Sequence, residues 1–125
     1  MVSILNAMNN QEILHEFGRL VINEAYDNHM GLVKSELGDL KKTERFKNLF
    51  KGMTALQKKE LEALTEEILS GMLFDLLRLF EENPSFKISY ELKDGQVNLV
   101  ELSESFKAEP IIKGGWIDRF SQFKK

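Results

Sequence analysis

Glu12 and His15 stand three residues apart in the stretch EILHE, the spacing by which one helix of a bundle contributes ligands to a di-metal centre. Such a centre needs the motif twice together with further carboxylates, and the chain has two histidines in all. On a single helix His29 would lie about 21 Å from His15, too far to share an ion. The pair therefore reads as a helix-side histidine beside an acid, and neither a metal nor any other cofactor is expected.

Asp75 and Arg78 are also three apart, inside ILSGMLFDLLRLF, the greasiest stretch of the chain. Burying either charge is costly unless it is paired, so a structural ion pair or a surface-facing pair is favoured over an active-site carboxylate. No cysteine is present, which removes thiolate ligands, disulfides and a cysteine nucleophile. The eight glycines are scattered except for Gly114 and Gly115, and neither a phosphate-cradling loop nor a Gly-x-Ser-x-Gly elbow occurs. If a pocket forms between the central helix and the hairpin described below, its polar candidates are Asp75, Arg78, Tyr90, Trp116 and Arg119. That is the enzyme or small-ligand alternative, and the leading reading is non-catalytic.

Charge is segregated. Lys41, Lys42, Arg45, Lys47, Lys51, Lys58 and Lys59 oppose Glu44, and then Glu60, Glu62, Glu66, Glu67, Asp75, Glu81 and Glu82 oppose Arg78, within a net charge of -3. Runs of this kind are ordinarily solvated faces that neutralise each other; the sharper alternative is a basic patch for an anionic partner. Nucleic-acid binding is not expected, because Phe46 and Phe50 fit the apolar stripe of their own segment and the chain as a whole is acidic.

These residues need elements to hold them, and 125 residues with 42% apolar and 30% charged side chains fit one folded domain. Apolar residues from Ile13 to Tyr26 recur at helical spacing, continuing through Met30, Val33 and Leu37. Asn9 or Asn10 is the cap, Gly31 a point for a break, and Gly38–Asp39 the stop. TERFKNLFKGM reads as a short amphipathic helix. Thr54 and Gln57 form a capping box that opens a helix reaching Glu82 and closed by Asn83–Pro84. From Ile68 to Phe80 its apolar residues point nearly all round, so this part is expected to be the central element, covered on most sides.

FKISYELKDGQVNLVELS alternates like a hairpin turning at Asp94–Gly95, with Leu92 facing Val97, Tyr90 facing Leu99, and a bulge at Leu99–Val100. After an irregular connection, Trp116, Ile117, Phe120 and Phe123 recur at helical spacing, which predicts a short helix entered through Gly114–Gly115; a hairpin turn at the two glycines is the alternative. The expected fold is α+β: an N-terminal helical bundle of two long helices and a short one, a C-terminal antiparallel hairpin and a short terminal helix. The longest apolar run is too short and too charged to span a bilayer, and no signal peptide is visible, so the expectation is a cytoplasmic protein.

The region from FDLLRLFEENP through VELSESFKAEPIIKGGWIDRFSQF resembles the C-terminal half of a group of small bacterial proteins without an assigned function. The matching residues are Leu102, Ser103, Gly115, Trp116, Ile117, Phe120 and Ser121, and the resemblance implies no reaction and no cofactor. In overall style the chain is also similar to immunity proteins, which block toxins by direct binding. That likeness implies a protein partner, a toxin being the instance. Separately, the long apolar helices could bury their surplus in a homodimer, which is a further expectation.

Overall fold

A computed structural model of the chain describes residues 8–35 and 37–123. The architecture is α+β, with helices in the N-terminal part, a two-stranded antiparallel hairpin and a short helix near the C-terminus. Helix α1 (Asn10–Val21) passes through a π-helical turn (Ile22–Tyr26) into α2 (Asp27–Lys34), followed by α3 (Leu37–Lys41) and the long α4 (Ala55–Glu82). The hairpin is β1 (Ser89–Leu92) and β2 (Gly95–Asn98), and α5 (Trp116–Phe120) ends the series.

Capping residues set the helix starts. The Asn9 carboxamide accepts from the Glu12 backbone N–H at 2.8 Å while the Glu12 carboxylate accepts from the Asn9 N–H at 3.2 Å. Thr54 and Gln57 form the reciprocal pair at the start of α4, at 3.0 and 2.8 Å, which satisfies backbone donors that a helix terminus otherwise leaves free.

The irregularity in the first helix lies at residues 22–26 instead of Gly31. A π turn takes up one extra residue. In an unbroken α-helix Asp27 would point away from Gly18, and the π turn brings it to within about a quarter turn of that face. Gly38 and Asp39 fall inside α3 and do not stop it.

The segment 43–53 is a string of i+3 turns and not the predicted helix: Phe46, Leu49 and Met53 donate to the carbonyls of Thr43, Phe46 and Phe50. Phe50 is buried but Leu49 is exposed, so this short basic stretch has little apolar packing to offset the cost of nucleating a helix.

The hairpin register also differs from expectation. Leu92 pairs with Gly95 and Tyr90 with Val97, so the turn residues are Lys93 and Asp94. Leu99 leaves the strand for a 3-10 turn over Leu99–Leu102, which the Asn98 side chain caps by accepting from the Val100 N–H. This places Leu99 in the core, whereas Leu92 stays partly exposed.

The core is a single cluster joining the α1–α2 helix to the C-terminal third: Ile13, Leu14, Ile22, Tyr26 and Met30 meet Leu77, Leu99, Phe106 and Trp116. Helix α5 is the predicted terminal helix, with Gly115 at its N-cap and Gly114 at φ 74° before it. Trp116 is fully buried, edge-on to Phe17 at 5.8 Å and to Phe106 at 6.1 Å between centroids.

Candidate docking face on the long helix

Helix α4 does not become the enclosed centre of the molecule. Leu77 is its buried residue, with Leu69 and Leu73 packed against the core from the same side. The opposite side carries Leu64 (56% exposed), Ile68 (60%), Met72 (60%), Leu76 (41%) and Leu79 (49%). The all-round apolarity of residues 68–80 therefore divides into an inner face that builds the core and an outer face that no described residue covers. Beyond the helix end, Leu76, Leu79, Phe80, Asn83 and Phe86 line a notch of about 400 Å³. Exposed apolar surface of this extent on a folded domain makes this face the candidate site.

The five polar candidates take separate neighbours. Arg78 lies between Asp75, at 3.6 Å, and Glu82, at 2.9 Å, all along α4. These contacts hold the Arg78 guanidinium above its ordinary pKa, the Glu82 hydrogen bond foremost. The Tyr90 hydroxyl is 3.7 Å from Met8 Sδ. Trp116 lies inside the aromatic cluster, its indole N–H without an acceptor among the described residues. Arg119 stacks on Phe120 and reaches across to His15, Nη1 to Nε2 at 2.9 Å.

Glu12 is spent on the α1 cap, and the His15 imidazole accepts from a guanidinium that stays charged. Burial first, and then the Arg119 charge, lower the His15 pKa, with Glu109 opposing. Among the described residues no three His, Asp or Glu side chains converge as metal ligands would.

Two open grooves flank the inner edge of α4. One, of about 800 Å³, runs past Glu66, Glu67, Ser70, Phe74, Asp75 and Ile111. The other, of about 280 Å³, is bounded by Tyr26, Glu66, Ser70, Ile117, Asp118 and Phe123 among others. The Tyr26 phenol is pushed up to about 12, by burial first and the Glu66 carboxylate next, against a hydrogen bond with Ser70. The phenol therefore stays protonated there at neutral pH and is not a base. Glu66 and Ser70, one helical turn apart on α4, line both grooves.

The charge blocks stay largely apart. Glu62 joins them through Lys58 and Lys34, each at 3.8 Å, and Lys47 pairs locally with Glu44. Lys41, Lys42, Lys51 and Lys59 are exposed and make no ion pair among the described residues.

One polar residue that composition did not single out is Asp27. It is 5% exposed and receives the Ser121 hydroxyl at 2.6 Å and the Gln122 backbone N–H at 3.0 Å. The α-helical period sets Asp27 beside Asn23, Glu24 and Lys34, so the sequence carried no signal for it, and the π turn is what brings it inward. No helix of the described residues is long and apolar enough to cross a membrane. No family model matches the chain, and neither a curated protein nor a solved structure matches it.

Proposed function

We propose that the chain acts by binding protein and not by catalysis, with the outer face of α4 as the docking surface, in the manner of an immunity protein that holds a toxin. The observation that carries this reading is the row Leu64, Ile68, Met72, Leu76 and Leu79, apolar and uncovered along a helix whose opposite face already completes the core. Apolar side chains cost solubility when left in water, and a partner that covers them recovers about 25 cal/mol per Å² of apolar area. The partner that fits is an amphipathic helix, because a straight apolar row between polar margins is the complement of another such row.

The alternative of a ligand pocket between α4 and the hairpin has less support. Asp75, Arg78, Tyr90, Trp116 and Arg119 each have other neighbours and do not converge on one pocket.

A photoactivatable residue placed at Met72, compared with the same residue at Gln96 in the hairpin, tests the proposal in the cells that make the protein. The expected result is a protein adduct at Met72 and little at Gln96. Equal adducts at both positions, or none at either, would sink it.

A further inference from the structure

The reading of α4 as a docking face leaves its occupant open, and the row itself carries a symmetry that answers this. Leu61 and Leu79 lie nine residues either side of Ser70, Leu64 and Leu76 lie six either side, and Ile68 and Met72 two. A helix with this pattern, turned end over end about its own middle, presents the same apolar row to itself. Leu61 meets Leu79, Leu64 meets Leu76 and Ile68 meets Met72, twice each. The row advances by three- and four-residue steps that average one α-helical turn, so it stays on one side of a straight helix over about 27 Å.

The charges obey the same reversal. Lys58 and Glu82 lie twelve residues either side of Ser70, so an antiparallel pair brings them to the same level along the helix axes, on opposite margins of the row. Glu60 and Arg78 are five full turns apart on one edge of the row, and reversal brings each close to its opposite in the second helix. Asp75, which interrupts the row, falls opposite Thr65 instead of another carboxylate, with its own oxygen already turned to Arg78. A parallel alignment would instead gather Asp75, Glu81 and Glu82 of both copies at one end, where like charges repel.

The notch lined by Leu76, Leu79, Phe80, Asn83 and Phe86 lies where Leu61 of the second copy arrives.

We infer that the occupant is a second copy of this chain, packed antiparallel through α4 about a two-fold axis at Ser70–Gly71. Such an interface is isologous, each patch serving as its own complement. The inference rests on the docking-face reading but is separable from it.

The absence of cysteine makes the test clean. Sedimentation equilibrium from micromolar to near-millimolar chain should show twice the monomer mass for the native protein. The Ile68→Lys and Met72→Lys double variant should be monomeric with an unchanged helical spectrum, since both side chains are exposed in the single chain. A mixture of Leu64→Cys and Leu76→Cys chains, oxidised gently, should give the mixed disulfide, with either variant alone giving several-fold less.

A native chain that stays monomeric over the whole range overturns the inference, as does a disulfide forming as readily within Leu64→Cys alone. If the chain is monomeric and Met72 still cross-links to a different protein in cells, the inference fails while the docking-face reading stands. If Met72 cross-links to nothing, both fail.

Discussion

The indole of Trp116 lies on the bare backbone of Gly18, so closely that a Cβ built at Gly18 would stand 2.5 Å from its ring atoms. Glycine inside a helix ordinarily costs about 1 kcal/mol relative to alanine, and here that cost is the condition for seating the largest side chain of the protein. Gly18→Ala should therefore destabilise the fold, because the overpacking penalty of about 1–3 kcal/mol exceeds the propensity gain. Trp116→Ala should cost more, about 3–5 kcal/mol for a fully buried ring. Denaturant unfolding of both variants checks this, and a Gly18→Ala protein more stable than the native chain would show that the indole does not lie there.

The tail shows what could and could not be read from the residue string. The helical spacing of Trp116, Ile117, Phe120 and Phe123 predicted the terminal helix and its apolar face. It did not say where that face would go, because the receiving sites are glycines and an acid nearly 100 residues away: Gly18 under Trp116, Gly31 against the Phe123 ring and Asp27 against Ser121. Glycine in a helix looks like a weakness until the ring that fills the space is known.

The long helix failed in the opposite way. Its apolar residues from Ile68 to Phe80 satisfied the pattern of an enclosed helix, whereas the chain covers one face and leaves the other bare. Period alone cannot distinguish a second intramolecular layer from a surface awaiting a partner. In the hairpin, Asp94–Gly95 carried the preferred turn pair, but burying Leu99 decided the register instead. The outer face of α4 carries no motif of site chemistry, because its surface is hydrocarbon.

Asp27 and Ser121 form a clasp whose parts can be separated. The Ser121 hydroxyl donates to Asp27 and accepts the Phe123 N–H at 3.0 Å, while the second Asp27 oxygen takes the Gln122 N–H. Ser121→Ala should release the Phe123 amide to hydrogen exchange while leaving Gln122 protected, at a cost of about 1.5–3 kcal/mol for a hydrogen bond to a charged group. Asp27→Ala should release both amides. Equal exchange of the two amides in Ser121→Ala would refute the clasp.

Tyr26 makes stability sensitive to alkali. Its phenol has an ordinary pKa of 10.0 and is pushed up to about 12 in the folded chain, by burial first and then Glu66. Between those values the unfolded chain has lost the proton and the folded chain keeps it, so the contribution is fully present below pH 10 and is lost as pH rises toward 12. Phenolate absorbance should show a late component absent from Tyr26→Phe, and the fall in melting temperature over that interval should be shallower in the variant. A phenolate spectrum complete by pH 11 would contradict the burial.

His15 works in the opposite sense at the acid side. Its pKa lies below 6.5 in the folded chain because burial and the neighbouring Arg119 disfavour the imidazolium, Glu109 opposing them. The unfolded chain then binds the proton first, so the stabilising contribution is complete above pH 6.5 and declines as pH falls from there to the lowered value. Arg119→Gln removes the guanidinium while leaving a side chain that can still donate to the ring. Its expected effect is an upward shift of the His15 midpoint, followed by the imidazole proton resonance, and a smaller loss of melting temperature on acidification. A midpoint that does not move would mean that the 2.9 Å contact between Arg119 and His15 has no electrostatic consequence, and that burial alone sets the histidine.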